Sequence, residues 1–132
     1  MTEQFKAMAK ANILVVDDEP LIGEVFTDYL GEQGYSVEVA ADAYQALQLA
    51  SGNVYDLIIL DIRMPGMDGV EALEKLKQSQ PRAQFILMTG YWDQTQHLQE
   101  RAQRIGIFAS VEKPFDMPEI MPLIERALAP RI

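Results

Sequence analysis

The sequence predicts an α/β domain in which five parallel strands alternate with five helices. Short runs of branched apolar residues recur along the chain, a pattern typical of strands buried on both faces of a parallel sheet. Between these runs, apolar residues recur at helical spacing. Because strands and helices alternate from the first strand onward, we expect right-handed βαβ units and an open sheet covered by helices on both faces.

Five segments have strand character. The segment Tyr35–Ala40 alternates between apolar and polar residues, which indicates an edge strand with one face in water. The other four are short apolar runs, and they are Asn12–Val16, Asp56–Leu60, Ala83–Met88 and Ile107–Val111.

The first two helices have clear start signals. Pro20 suits the first turn of one helix, which Gly31 or Gly34 can end. Asp42 can cap the second helix, which is predicted to extend to Ala50.

The last three helices differ in how firmly the sequence specifies them. Asp68 and the glycine after it open the third, which must stop before Pro81. Residues 93–105 form a polar helix with a thin apolar stripe, and we expect it to be the least firmly held. Residues 116–119 resemble a capping box for the last helix, whose first turns Pro122 should distort.

Composition excludes several classes of protein. The 132 residues suit one domain, and the chain has no cysteine and a single histidine. Disulfide scaffolds, thiol catalysis, iron–sulfur sites and histidine-based zinc sites are therefore excluded. The net charge of −9 opposes direct binding of nucleic acid or anionic membranes.

The chain is expected to form one domain with short tails. Residues 1–10 are predicted to be an N-terminal tail, 11–129 the domain and 130–132 a C-terminal tail. The start has no apolar leader, and the longest aliphatic runs are far shorter than the roughly 20 residues that cross a bilayer. These features predict a soluble cytoplasmic protein.

Polar residues follow four of the predicted strands. Because the carboxyl ends of parallel strands meet at one edge of the sheet, where sites form in such folds, these side chains should converge. They are Asp17, Asp18 and Glu19 after the first strand, Asp61 after the third, Thr89 after the fourth and Lys113 after the fifth.

Convergent carboxylates need positive charge nearby. Two unit charges about 5 Å apart repel by roughly 3 kcal/mol at an effective dielectric constant of 20. Lys113 supplies one positive charge, and a divalent cation is the natural second. Hard oxygen ligands favour Mg²⁺, which keeps coordination positions open for phosphoryl oxygens.

Four motifs stand out, and they lie at Ile13–Pro20, Asp56–Gly69, Ile86–Gly90 and Glu112–Phe115. In their order and spacing they resemble the CheY-like receiver domain of two-component response regulators. The resemblance covers roughly residues 11–129. It implies a flavodoxin-like doubly wound sheet of order 2-1-3-4-5.

The resemblance also implies roles for individual residues. Asp61 matches the aspartate that takes a phosphoryl group from a phosphohistidine, while Thr89 and Lys113 match the hydroxyl and ammonium that bind that group. The peptide bond between Lys113 and Pro114 is expected to be cis.

The implied metal site uses four positions. Asp18 matches the carboxylate that binds Mg²⁺ directly, and Asp17 the one that reaches it through water. Asp61 and the backbone carbonyl of Arg63 complete the set.

The implied function is a phosphorylation switch and not a turnover enzyme, with at most self-phosphorylation from small phosphodonors and autodephosphorylation. Its expected partners are a sensor histidine kinase or a histidine phosphotransfer protein, and a downstream protein or fused output domain. The last helices are a candidate homodimer surface.

One position departs from the family pattern. Receivers usually carry an aromatic switch residue three positions before the lysine, where this chain has Ser110. Phe108 and Tyr91 are nearby in sequence but do not occupy that position. The departure concerns how phosphorylation reaches the output surface.

Three alternatives remain open at this point. A phosphatase of the haloacid-dehalogenase type would use Asp17 as its nucleophile, whereas a receiver uses Asp61. Labelling of Asp17 or of Asp61 would distinguish the two classes. A flavin-binding module would be yellow on purification. A degenerate receiver would act by protein contact alone, which the intact acceptor set opposes.

Four further side chains outside the polar cluster are expected to be exposed or to pack locally, or have a role that the sequence leaves open. His97 is expected to be exposed, and Met64 and Met67 to pack in a loop. Trp92 either covers the site or packs on the loop.

Overall fold

The five strands form one parallel sheet in the predicted order β2-β1-β3-β4-β5. The computed structural model describes residues 8–64, 66–90 and 92–130, with no side chains for residues 92–95. The strands are β1 (Asn12–Val16), β2 (Ser36–Ala40), β3 (Leu57–Asp61), β4 (Gln84–Thr89) and β5 (Ala109–Glu112). The helices are α1 (Pro20–Glu32), α2 (Ala43–Gly52), α3 (Gly69–Ser79), α4 (Trp92–Ile105) and α5 (Met117–Leu128).

The central strand β3 is buried along its whole length, as the apolar runs predict. Successive residues of the inner strands enter opposite apolar layers because side chains alternate across a sheet. Leu14 and Ile58 belong to the layer under α2, α3 and α4. Ile13 and Leu57 belong to the layer under α1 and α5. The sheet is therefore covered on both faces.

Local start signals position the helices as predicted. The Asp42 side chain accepts a hydrogen bond from the Gln45 backbone N–H (2.7 Å), and Asp68 accepts one from Val70 (2.7 Å). These bonds satisfy amide donors that have no partner within the helix. In α5, Glu119 accepts from the Asp116 backbone N–H (3.4 Å), which is a contact of the predicted capping box.

Element boundaries differ from the sequence prediction by one or two residues. The strands β3 and β4 each lie one residue later than predicted, because parallel pairing continues to Asp61 and Thr89. The fifth strand begins at Ala109 and not at Ile107, after a turn at Gly106 with φ of +114°. The last helix continues through Pro122 without a break.

The helix α4 is tied to α3 at its C-terminal end. Ala102 of α4 is fully buried in the apolar layer that α4 shares with α2 and α3. The ammonium of Lys77 on α3 donates to the carbonyls of Ile105 (3.2 Å) and Gly106 (2.8 Å), which end α4. This lysine supplies donors to carbonyls at the helix end. That α4 is the least firmly held helix stays a prediction.

Across the described ranges, the structure contains no helix long and apolar enough to cross a membrane.

Gly69 allows α3 to begin directly against the segment that follows β3. A Cβ atom built on Gly69 would lie 2.2 Å from the carbonyl oxygen of Ile62, which is backbone and cannot rotate away. We expect Gly69→Ala to lower the free energy of unfolding by about 1 to 3 kcal/mol because of this overlap.

Urea denaturation would measure the Gly69 effect, with Gly31→Ala as the matched control. A Cβ on Gly31 meets nothing within 4 Å, so this change in α1 should raise stability by up to about 1 kcal/mol. Equal effects of the two substitutions would show that the close approach at Gly69 carries no energetic consequence.

Candidate functional site

The carboxyl ends of four strands bring the predicted polar residues to one edge of the sheet. Asp61 is the last residue of β3 and Thr89 the last of β4, while Asp17 follows β1 and Lys113 follows β5. Asp17, Asp61 and Thr89 are all buried, although their side chains are polar. Buried polar groups need partners, and here the partners are the Lys113 ammonium and nearby backbone groups.

The ammonium of Lys113 is the centre of the cluster. Its Nζ lies 2.7 Å from Asp17 Oδ2 and 3.0 Å from Asp61 Oδ2, and it also lies 3.4 Å from Glu19 Oε1. The Asp17 side chain is fully buried and that of Asp61 is 8% exposed, so water screens these two ion pairs little. The lysine therefore offsets the repulsion between two buried carboxylates.

Backbone amides hold the remaining oxygens of these two carboxylates. Asp17 Oδ1 accepts a hydrogen bond from the backbone N–H of Glu19 (2.9 Å), and Asp61 Oδ1 accepts one from Arg63 (3.0 Å). Each donor lies two residues after its acceptor, so the turn that ends the strand also orients the side chain. Both carboxylates are thus fixed in position before any ligand arrives.

The carboxylates of Asp17, Asp18 and Asp61 each place one oxygen within 4.8 Å of the other two. Asp18 is exposed, and nothing in the described part of the chain donates a hydrogen bond to it. A hard divalent cation accepts carboxylate and water oxygens in this arrangement. The donor set therefore fits the predicted Mg²⁺ site, and Asp18 is the carboxylate whose oxygens are uncommitted.

Arg63 reaches this site through its backbone. Its N–H contacts Asp61, as described above, while the residue as a whole is exposed. The predicted use of its carbonyl as a metal ligand stays a prediction.

The hydroxyl of Thr89 faces the neighbouring strand. It donates to the backbone carbonyl of Val111 in β5 (3.3 Å). Ser110 is exposed on β5, and Phe108, two positions earlier, is 40% exposed. Position 110 therefore carries no aromatic ring, and in the sheet it pairs with Leu87 of β4, two residues before Thr89.

Burial and charge shift two pKa values in the cluster. Burial raises the pKa of Asp61 above its ordinary value of 3.8, although the Arg63 N–H and Lys113 oppose the shift. Burial alone would lower the pKa of Lys113, but its hydrogen bonds to Asp17 and Asp61 outweigh that effect and raise it. The lysine therefore stays charged throughout the neutral range. The peptide bond between Lys113 and Pro114 is cis, as expected.

The other residues named from the sequence lie outside the polar cluster or outside the described residues. His97 is exposed, and Met67 is buried with Met64 packed against the same apolar layer, as predicted. Tyr91 and the side chain of Trp92 lie outside the described residues.

Sequence reasoning missed the contact between Glu19 and Lys113. The only available signal was the position of Glu19 at the end of the acidic triplet that begins at Asp17.

The raised pKa of Asp61 predicts a pH-dependent effect of Asp61→Asn on the metal-free protein. The folded state holds the Asp61 proton more tightly than the unfolded chain does. The free energy of unfolding of the wild type therefore falls as pH rises from 3.8 through the folded pKa. Asparagine has no such proton. We expect the stability of the variant relative to wild type to increase across this interval and then level off.

Urea midpoints in chelator between pH 4 and 8 would measure this difference. The control is Asp28→Asn, which removes the same charge from an exposed position on α1. A difference between Asp61→Asn and wild type that stays constant over the whole range would contradict the expectation.

Known proteins share the sequence features of this site. The sequence profile of the response regulator receiver domain matches residues 13–125. Sporulation initiation phosphotransferase F of Bacillus subtilis is 33% identical over 121 residues, which cover 92% of this chain and 96% of that protein. The chain spans only 25% to 62% of the length of several other relatives, which are named as regulatory or transcriptional regulatory proteins.

Solved structures agree with the sequence comparison. A CheY-like receiver domain protein from Methanospirillum hungatei superposes with a TM-score of 0.84 at 30% identity, covering 89% of this chain and 93% of that one. A response regulator from Burkholderia pseudomallei, solved with a phosphorylated aspartic acid, calcium ion and citrate, superposes with a TM-score of 0.77 at 26% identity. That match covers 85% of this chain and 65% of the other.

The sheet order, the acidic cluster beside a lysine and the sequence match over most of the chain agree with one another. The chain belongs to the receiver domain family of two-component response regulators.

Proposed function

We propose that Asp61 accepts a phosphoryl group from the phosphohistidine of a sensor histidine kinase or histidine phosphotransfer protein, in a Mg²⁺-dependent reaction. The observation that carries this proposal is the buried carboxylate of Asp61, which is held by Lys113 and the Arg63 N–H at the edge of the sheet. The Burkholderia relative with a phosphorylated aspartic acid supports the same chemistry.

In the transfer, a carboxylate oxygen of Asp61 forms a bond to phosphorus while the bond between phosphorus and the histidine nitrogen breaks. The bonding electron pair stays on the imidazole of the donor, and the product is an acyl phosphate. Lys113 is already paired with Asp61, so its ammonium is in place to bind a phosphoryl oxygen as charge shifts onto that group.

The residues that would hold the metal are Asp17, Asp18 and Asp61, with the Arg63 carbonyl. The bound ion would supply positive charge to the phosphoryl oxygens. Asp18 is assigned as the direct ligand because its carboxylate is exposed and uncommitted, whereas both oxygens of Asp17 are engaged by Lys113 and the Glu19 N–H.

Thr89 is assigned to bind the phosphoryl group through its hydroxyl. That hydroxyl now donates to Val111, so binding the phosphoryl group requires rotation about its Cα–Cβ bond and loss of the contact with β5. The end of β4 is thereby coupled to β5. Because Ser110 supplies no ring to follow this movement, the response is expected to reach the output surface through the segment after Thr89 and through α4.

The domain acts as a switch whose turnover is limited to self-phosphorylation and autodephosphorylation. Its downstream target is a separate protein or a fused output domain, in keeping with the longer relatives that the chain matches in part. The proposal assigns it no direct contact with nucleic acid, in line with its net charge of −9.

Acetyl phosphate with Mg²⁺ should phosphorylate Asp61 and no other residue. We expect Asp61→Asn to abolish phosphate incorporation measured by intact-protein mass spectrometry, because the amide is not a nucleophile under these conditions. Asp28→Asn is the matched control and should incorporate phosphate as the wild type does. Undiminished incorporation in Asp61→Asn would refute the assignment, and labelling at Asp17 would favour the haloacid-dehalogenase alternative.

Asp18→Ala should weaken Mg²⁺ binding more than Asp17→Ala does. Loss of a direct ligand removes a metal–oxygen bond, whereas Asp17 acts through water and through Lys113. Calorimetric titration with Mg²⁺ would rank the two variants, and chemical denaturation would check that each is folded. The reverse ranking would exchange the roles of the two residues.

A further inference from the structure

The three N–H donors of the Lys113 ammonium point to three carboxylates among the described residues. They are those of Asp17, Asp61 and Glu19, at 2.7, 3.0 and 3.4 Å. An ammonium has three N–H bonds and no further donor. In this state Lys113 therefore has no donor to offer to an incoming group without giving up a partner.

The three partners differ in what it costs to release them. The side chain of Asp17 is fully buried and that of Asp61 is 8% exposed, so either would be left as an uncompensated buried charge. The side chain of Glu19 is 63% exposed and makes the longest contact. Water can replace the lysine around this carboxylate, so Glu19 is the partner that leaves most easily.

We propose that Glu19 is a positioning residue that occupies the Lys113 donor until a phosphoryl group displaces it. This inference rests on the proposed function, in which the phosphoryl group on Asp61 binds Lys113. The carboxylate of Glu19 competes for the same ammonium, so it lowers the affinity of the site for a phosphoryl group. Glu19 also orients Asp17, but through its backbone N–H, which a side-chain substitution leaves in place.

Glu19 is suited to substitution because its side chain has no second structural role in the described contacts. It stands at the N-cap of α1, yet its side chain makes no capping hydrogen bond. Pro20 occupies the first turn of that helix and sets its backbone independently of the Glu19 carboxylate.

The test uses beryllofluoride, a phosphoryl analogue, with saturating Mg²⁺ and the full chain. Glu19→Gln removes the charge, and Glu19→Asp keeps the charge but shortens the side chain beyond reach of Lys113. Glu24→Gln is the matched control, because it removes the same charge from an exposed position on α1 that has no contact with Lys113.

Both substitutions of Glu19 should tighten beryllofluoride binding by about two- to fivefold, the range expected for loss of an exposed ion pair. Glu24→Gln should leave the affinity unchanged. If Glu19→Gln tightens binding but Glu19→Asp does not, net charge alone explains the effect and displacement of the contact is refuted. Unchanged affinity in both Glu19 variants also refutes the proposal.

A metal-free measurement tests the contact directly. The ¹⁵N resonance of the Lys113 Nζ should shift in Glu19→Gln and Glu19→Asp, and it should not shift in Glu24→Gln. An unchanged resonance in both Glu19 variants would overturn the inference. Failure of the wild type to bind beryllofluoride would instead overturn the proposed function, so the two failures are distinguishable.

Discussion

The ammonium of Lys113 between the carboxylates of Asp17 and Asp61 is the interaction on which the sheet edge depends. Without it, two buried negative charges would face each other at the ends of β1 and β3, where water is largely absent. The lysine follows β5, so the carboxylates are compensated only when β1, β3, β4 and β5 lie side by side in the sheet. The charge balance of the site therefore depends directly on the order of the strands.

Much of the fold could be predicted because its determinants are local. The buried strands are apolar runs, and the caps at Asp42 and Asp68 are single residues that bond to amides two or three positions away. The end of β3 at Asp61 was less predictable, because it depends on pairing with Met88 of β4 and not on the residue's own preference. The predicted ends of β3, β4 and β5 accordingly differ from the structure by one or two residues, while all five strands are predicted.

The predicted site residues also converge, since topology alone sends the carboxyl ends of parallel strands to one edge. The individual contacts were not predictable in the same way. The Glu19–Lys113 contact joins residues 94 positions apart. The direction of the Thr89 hydroxyl depends on the Thr89 rotamer, which the hydrogen bond to the Val111 carbonyl favours. Such details are decided by side-chain geometry after the backbone is in place, and a single sequence carries little information about them.

The separation of Asp17 from Lys113 along the chain has a consequence for folding. These residues are 96 positions apart, so their ion pair joins the end of the first strand to the end of the last. Closing a loop of this length has an entropic cost, which the pairing of the strands between these residues must offset. A nascent chain that has not yet released β5 would carry both carboxylates without their lysine. The charge balance of this sheet edge therefore depends on a residue made 96 positions after the first of its carboxylates, and no shorter stretch of the chain contains the complete cluster.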